Sequence, residues 1–250
     1  MTLDDDRPAI EQVLPEPKAG RYVLHLHRNA DVWTWAVAVA VAAELRRDLS
    51  AHSRARLVLT ADDVAAPVYR ALSKAPLEWS RIDLAQTDER WLRPDDPDSH
   101  AFRINERLRR GHAIGARFES LTSVGRSIEE SVSVANAHGR QAASAAVLGM
   151  GTDGHLASLF PLMADLQRVF ATPEAYAAVD ATGSPAARDW LRRISITPSG
   201  LARARSRLLL LRGRDQREAF EYAIASGDRA SWPVLAALDG PGPLQVHWCV

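Results

Sequence analysis

The sequence predicts an α/β chain, Rossmann-like, with a mostly parallel sheet and helices on both faces. Two observations lead there. Short strand patterns alternate with helix-length apolar patterns along most of the chain, as βαβ units require. One apolar strand, Ala143–Leu148, runs straight into a glycine-rich turn, Gly149-Met-Gly-Thr-Asp-Gly-His155. In a parallel sheet such a turn lies at the carboxyl ends of the strands, where ligands bind.

Residues 1–19 are acidic and polar without apolar periodicity and read as a flexible leader, so the domain is expected over 20–250. Tyr22–His27 alternates and predicts a strand, and Ala30–Leu49, free of glycine and proline, predicts a helix. Ala55–Thr60 is a strand, Val64–Leu72 a helix and Arg81–Ala85 a strand. Beyond Pro94 and Pro97, Ser99–Arg109 is helical with Asp98 or Ser99 as its cap. Ser127–His138 is a helix with Gly139 closing it. After the glycine turn come a strand at Arg193–Thr197, a helix from Pro198, a strand at Arg207–Leu211, a helix at Asp215–Ala225 and a last strand at Leu244–Val250. No internal repeat or distinct linker interrupts this order, so one domain is expected.

Composition narrows the function classes. Hydrophobic residues make up 46% and charged residues 25%, and 31 basic residues balance 31 acidic ones. A neutral chain lacks the basic excess that binds nucleic acid or anionic membrane. Cys249 is the only cysteine, so no intrachain disulfide forms, which points to a reducing, cytoplasmic setting. The acidic N-terminus is the opposite of a signal peptide, and the apolar run Val32–Ala43 is shorter than the roughly 20 residues a bilayer span needs.

The glycine turn carries the candidate chemistry. Gly149, Gly151 and Gly154 let the backbone turn sharply and approach a ligand. His155 with Asp153 beside it meets the requirements of a general base near neutral pH. The spacing alone is equally compatible with a surface histidine beside ordinary turn glycines.

The whole segment Gly149–Pro161, GMGTDGHLASLFP, closely resembles the signature of the 6-phosphogluconolactonase family, within the superfamily shared with glucosamine-6-phosphate isomerases and deaminases. The deaminases share the turn and its Asp-Gly-His but usually continue Ile-Ala-Phe-Asn, whereas this chain continues Ala157-Ser158-Leu159-Phe160-Pro161. Thr87-Asp88-Glu89-Arg90-Trp91 is similar to the lactonase Asp-Glu-Arg loop, and Arg193-Ile194-Ser195-Ile196-Thr197 to a later family strand. The resemblance covers most of residues 30–250 in order. It implies hydrolysis of 6-phosphoglucono-δ-lactone to 6-phosphogluconate in the pentose phosphate pathway, without metal or organic cofactor. His155 would transfer the proton, Asp153 and Asp88 would shape the site, and Arg90 and Arg193 would meet phosphate or ring oxygens. The implied partner is a small sugar phosphate or sugar lactone, with a protein partner only if catalysis is lost.

The sequence also departs from that family. The expected phosphate loop, roughly Ser-Gly-Gly-Ser-Thr-Pro, is here Thr60-Ala61-Asp62-Asp63-Val64-Ala65. Its two carboxylates would repel phosphate, and Asp62 and Asp63 read as caps of the following helix. A family lysine is replaced by Gln216, where Arg214 or Arg217 could compensate, and Leu156 stands for a threonine. Three outcomes fit: a lactonase whose phosphate is held by Arg90, Arg193 and a nearby arginine; an enzyme for another sugar lactone; or a non-catalytic binding or scaffold homologue.

Other features have bland readings. His25 and His27 share one face of a strand and read as paired imidazoles on an edge. Trp33 and Trp35 read as packing residues, Arg107, Arg109 and Arg110 as a solvated helix end, and Cys249 as structural.

Overall fold

A computed structural model describes residues 21–250; the segment read as a leader, 1–19, lies outside the described residues. The strands are β1 (Tyr22–His27), β2 (Ala55–Leu59), β3 (Ile82–Gln86), β4 (Asp88–Arg90), β5 (Arg117–Glu119), β6 (Ala143–Gly149), β7 (Tyr176–Asp180), β8 (Arg192–Ile196), β9 (Ala204–Arg212) and β10 (Leu244–Cys249). The helices are α1 (Ala30–Ala51), α2 (Ala66–Leu72), α3 (His100–Leu108), α4 (Ile128–Gly139), α5 (Leu166–Ala171), α6 (Pro198–Leu201) and α7 (Gly213–Ser226).

Seven strands form a sheet in the order β1-β10-β9-β6-β2-β3-β5, every pair parallel. All residues of β2, β3 and β6 are buried. Helices cover both faces of a parallel sheet, so its central strands read as continuous rather than alternating patterns. Trp33, Val37, Val41 and Leu45 of α1 recur at helical spacing and join α2 and α3 in one core. Phe220 and Ala223 of α7 with Ile128 and Ala135 of α4 pack on the other face.

Local signals set the helix starts. The Asn29 side chain accepts from the Val32 amide at 2.9 Å, and Ser99, rather than Asp98, accepts from the Phe102 amide at 3.0 Å. Ser127 and Glu130 form a reciprocal capping box before α4.

The structure corrects three expectations. Arg193–Thr197 does not join the main sheet: β8 forms a separate antiparallel sheet, β4-β8-β7, whose three-residue β4 carries the Asp-Glu-Arg sequence. The helix expected over Val64–Leu72 begins as a single tight turn, 63–65, before α2. Trp33 is buried and donates to the His247 carbonyl at 3.0 Å, but Trp35 is 56% exposed, because it lies two residues on and faces away from the sheet. His25 and His27 lie on the edge strand as expected, with His247 of β10 between them, its ring 4.5 Å and 5.4 Å from theirs. Among the described residues no helix is long and apolar enough to cross a membrane.

Three loops meet where the parallel strands end. The Thr60 amide donates to Val147 O at 3.0 Å and the Thr87 amide to Leu59 O at 2.9 Å. The turns after β2, β3 and β6 are thereby laid side by side.

Candidate functional site

The turn after β6 is built around a close approach of backbone to side chains. A β-carbon on Gly149 would overlap the Asp62 carboxylate. Gly154 takes φ +84°, a left-handed conformation, and packs its bare Cα against the Trp232 ring. Gly151 lies between them, its amide donating to His155 O at 3.1 Å and its carbonyl accepting from the Gly154 amide at 2.9 Å.

This loop holds Asp153 and His155 together. Asp153 Oδ1 lies 2.6 Å from His155 Nδ1 and accepts from the His155 amide at 3.1 Å. A carboxylate accepts only, so the proton resides on Nδ1 and Nε2 is left for other chemistry. Burial would lower the His155 pKa, but the hydrogen bond and charge of Asp153, with Asp62 and Asp88 behind, hold it above the ordinary histidine value. Burial would likewise raise Asp153, and its bond to His155 outweighs this and holds the carboxylate below its usual range.

A second network stands opposite. Asp88, at the start of β4, is buried and accepts from Ser158 Oγ at 2.6 Å. His100 Nδ1 lies 3.0 Å from the Asp88 carbonyl and 3.4 Å from its carboxylate. Burial opposes ionisation of Asp88, but His100, Ser158 and Arg193 together hold it far below the usual carboxylate range. Burial similarly lowers His100, and the Asp88 charge reverses this to raise it. Glu89, facing the other way from β4, accepts from the amides of His100 and Ala101 at 2.7 Å each and from Gln86 Nε2 at 2.7 Å. It ties β4 to the first turn of α3.

Arg193 on β8 is also bound up in the protein. Its Nη1 donates to Ser158 Oγ at 3.3 Å, Nε to Trp190 O at 2.6 Å and Nη2 to Ala187 O at 2.7 Å. Its guanidinium lies 5.3 Å from the Phe160 ring centre, and that ring lies 5.0 Å from His155. Arg90 donates from Nη1 to Asp98 O at 2.7 Å, while its Nε is buried without a partner among the described residues. Burial, and then the positive charge of Arg103, press the Arg90 pKa down; burial also lowers Arg193, with Arg90 adding to it.

These groups enclose a polar cleft of about 250 Å³. Its wall contains His155, Asp88, Arg90 and Arg193, four of the residues singled out from the sequence. The structure therefore brings together residues up to 105 positions apart (193 − 88). Gly149, Gly151 and Gly154 form the turn beneath, and Asp153 backs His155. The wall also contains His100, Arg103, Arg188, Phe160 and Asp62, to which the sequence assigned no binding role. Arg103 had a signal, because it lies three residues after His100 on the helix that follows the Asp-Glu-Arg loop. Arg188 had none: it belongs to an irregular loop between β7 and β8.

The turn after β2 differs from its expected role. Asp62 and Asp63 make no capping hydrogen bond to the helix. Asp62 instead lies against Gly149, and Asp63 pairs with Arg107, whose Nη1 also donates to Ala61 O at 2.9 Å. Arg107 is thus a clamp on this turn rather than a solvated helix end. Gln216 is structural, accepting from the Arg212 amide at 2.9 Å and donating to Met150 O at 2.7 Å. Arg217 stacks 4.8 Å over Trp248 and pairs with Glu221, and neither it nor Arg214 lines the cleft.

The chain is similar to known proteins over most of its length. The profile of the family described as glucosamine-6-phosphate isomerases/6-phosphogluconolactonase matches residues 28–248. A 6-phosphogluconolactonase of Xylella fastidiosa is 42% identical over 208 residues, covering 82% of this chain and 87% of that protein. Its counterpart in Pseudomonas aeruginosa is 34% identical over 83% of this chain and 86% of its own length. Among solved structures, a 6-phosphogluconolactonase from Shewanella baltica superposes with a TM-score of 0.84 at 25% identity, covering 92% of this chain and 98% of its own.

Proposed function

We infer that this chain, which belongs to the 6-phosphogluconolactonase family, hydrolyses 6-phosphoglucono-δ-lactone to 6-phosphogluconate as a step of the pentose phosphate pathway. The observation that carries the reading is the Asp153–His155 pair, 2.6 Å apart, on a cleft whose other wall is cationic. His155 Nε2 takes a proton from a water molecule as that water attacks the lactone carbonyl. The Nδ1–H remains on Asp153, which fixes the tautomer and stabilises the imidazolium that forms. General-base assistance of this kind contributes about 10²- to 10⁴-fold. Collapse of the tetrahedral adduct breaks the ring C–O bond, and the proton held by His155 goes to the departing ring oxygen.

Asp88 acts through its neighbours. It fixes Ser158 and His100, and through Ser158 it sets Arg193. Arg90 and Arg193 provide the positive field that an anionic sugar phosphate needs, and Arg forks match phosphate oxygens in pairs. Gly149, Gly151 and Gly154 keep the turn thin enough for substrate to reach His155. The reaction needs no cofactor in this scheme. A cytoplasmic setting suits a sugar-phosphate substrate and the buried free thiol of Cys249.

Proton release from freshly generated 6-phosphoglucono-δ-lactone tests the assignment. The purified protein should accelerate ring opening well above the spontaneous rate and should release no ammonia from glucosamine 6-phosphate. Ammonia release without lactone hydrolysis would move the chain to the other branch of its superfamily.

A further inference from the structure

We propose that the phosphoryl group of the substrate is gripped by two side-chain guanidiniums, Arg103 from α3 and Arg188 from the β7–β8 loop, instead of by the backbone of the turn after β2. The assignment rests on the lactonase reading and names the part of the cleft that would select a phosphorylated lactone.

The turn after β2 is closed to an anion. Asp62 fills the space above Gly149, Asp63 is held by Arg107, and Arg107 spends Nη1 on the carbonyl of Ala61. A phosphate placed there would meet carboxylates rather than amides.

The opposite wall is rich in arginine, but its members differ in what they have free. Arg193 gives Nε, Nη1 and Nη2 to protein acceptors. Arg90 gives Nη1 to Asp98 O and is deeply set. Arg193 is therefore a brace first, whereas Arg90 keeps its buried Nε without a partner among the described residues. Arg103 is half-buried, and its one salt-bridge partner among the described residues is the Asp98 carboxylate, at 3.8 Å, beyond hydrogen-bond reach. Arg188 is exposed, makes no side-chain hydrogen bond or salt bridge with any described residue, and lines the cleft. Two guanidiniums with open forks on the wall of one cleft, where Arg193 has its donors committed, match the oxygens of a phosphoryl group.

The backbone supports the assignment. Arg188 has φ +54° and ψ −132°, a conformation that an L side chain rarely adopts. Such a residue is strained and persists only where its surroundings over-determine it. The surroundings here are specific: Arg193 binds the carbonyls of Ala187 and Trp190 on either side, and the Arg188 amide donates to Pro185 O at 3.2 Å. Glycine would fit this backbone without strain, yet the position carries the longest cationic side chain, directed at the cleft.

The test uses Arg103→Gln and Arg188→Gly in the full chain. Glycine removes the guanidinium and relieves the positive φ, so the protein should melt at the wild-type temperature or above it. Calorimetry with 6-phosphogluconate at low salt should show each variant binding about tenfold more weakly, as loss of one charge-assisted pair predicts. KM for the phosphorylated lactone should rise by a similar factor while kcat changes far less, and kcat/KM for unphosphorylated glucono-δ-lactone should fall much less than for the phosphorylated one. Wild-type binding of 6-phosphogluconate by both variants would overturn the proposal. So would an Arg188→Gly protein that melts lower and still binds normally, or equal losses on both lactones. Absence of turnover in the wild type would sink the lactonase reading alone, because 6-phosphogluconate binding is read without catalysis.

Discussion

The Asp62 carboxylate lies against the backbone of Gly149 so closely that a β-carbon at position 149 would overlap its Oδ2. The turn that carries His155 and the turn after β2 are thus one packed unit. Gly149→Ala should destabilise the fold by about 1–3 kcal/mol, the usual range for an overpacked site. It should also cut kcat/KM at least tenfold by displacing the loop that holds His155. Asp62→Gly in the same chain removes every side-chain atom in the way and should restore most of the melting temperature. Thermal unfolding of the single and double variants checks this, and a double variant no more stable than Gly149→Ala would refute the contact.

The Asp153–His155 pair sets a pH dependence. As the proposed base, His155 acts only when neutral, and Asp153 raises its pKa, so kcat/KM should rise with pH through that raised value. Asp153→Asn can still accept from Nδ1 through its carbonyl but carries no charge. Its acid limb should therefore move to lower pH while the plateau falls, by about 10-fold or more. Rate profiles of the two proteins decide the matter, and an unmoved acid limb would show that another group titrates.

Ser158 is the joint between Asp88 and Arg193. Ser158→Ala leaves one oxygen of a buried carboxylate short of a donor, at a cost of about 1–3 kcal/mol at neutral pH. Asp88 is held ionised far below its unfolded value, so its stabilisation is present above about pH 4 and is lost as pH falls toward its folded pKa. The variant should raise that folded pKa and flatten the acid dependence of its unfolding free energy. Urea titrations from pH 7 to pH 2 measure both effects.

His247 adds a dependence of the same sign over a higher pH window. Burial, with His25 and His27 beside it, pushes its pKa down to about 3. The unfolded chain takes up a proton near pH 6.5 that the folded chain refuses, so stability should fall as pH drops from about 6.5 toward 3, by up to about 1.4 kcal/mol per pH unit. His247→Gln should remove this slope. The same urea titration reads it, and a wild-type slope retained in the variant would contradict the account.

The half of the cleft around His155 was legible in the sequence because it is contiguous. Gly149 to Phe160 carries the turn, the proposed base, its carboxylate and the ring beside it within one short run. Asp88, Arg90 and Arg193 were legible only through family resemblance, since nothing in their spacing shows that β4 and β8 pair in a second sheet. A three-residue strand of Asp-Glu-Arg has no apolar alternation to announce it. Arg107 was misread for a related reason: its acceptors, Ala61 O and Asp63, lie more than 40 residues away, and local charge patterning sees only a helix end. Arg188 gave no sign, because a positive φ at an arginine is imposed by tertiary contacts rather than by the residue.

The measurement that most directly tests the central claim compares the wild-type protein with His155→Gln on freshly generated 6-phosphoglucono-δ-lactone, with ring opening followed against the spontaneous rate. Wild type should exceed the spontaneous rate by orders of magnitude, and His155→Gln, folded and still binding 6-phosphogluconate, should lose at least a hundredfold of that acceleration. A variant that keeps the wild-type rate would contradict the role of His155 as the base, and a wild type no faster than water would contradict the activity itself.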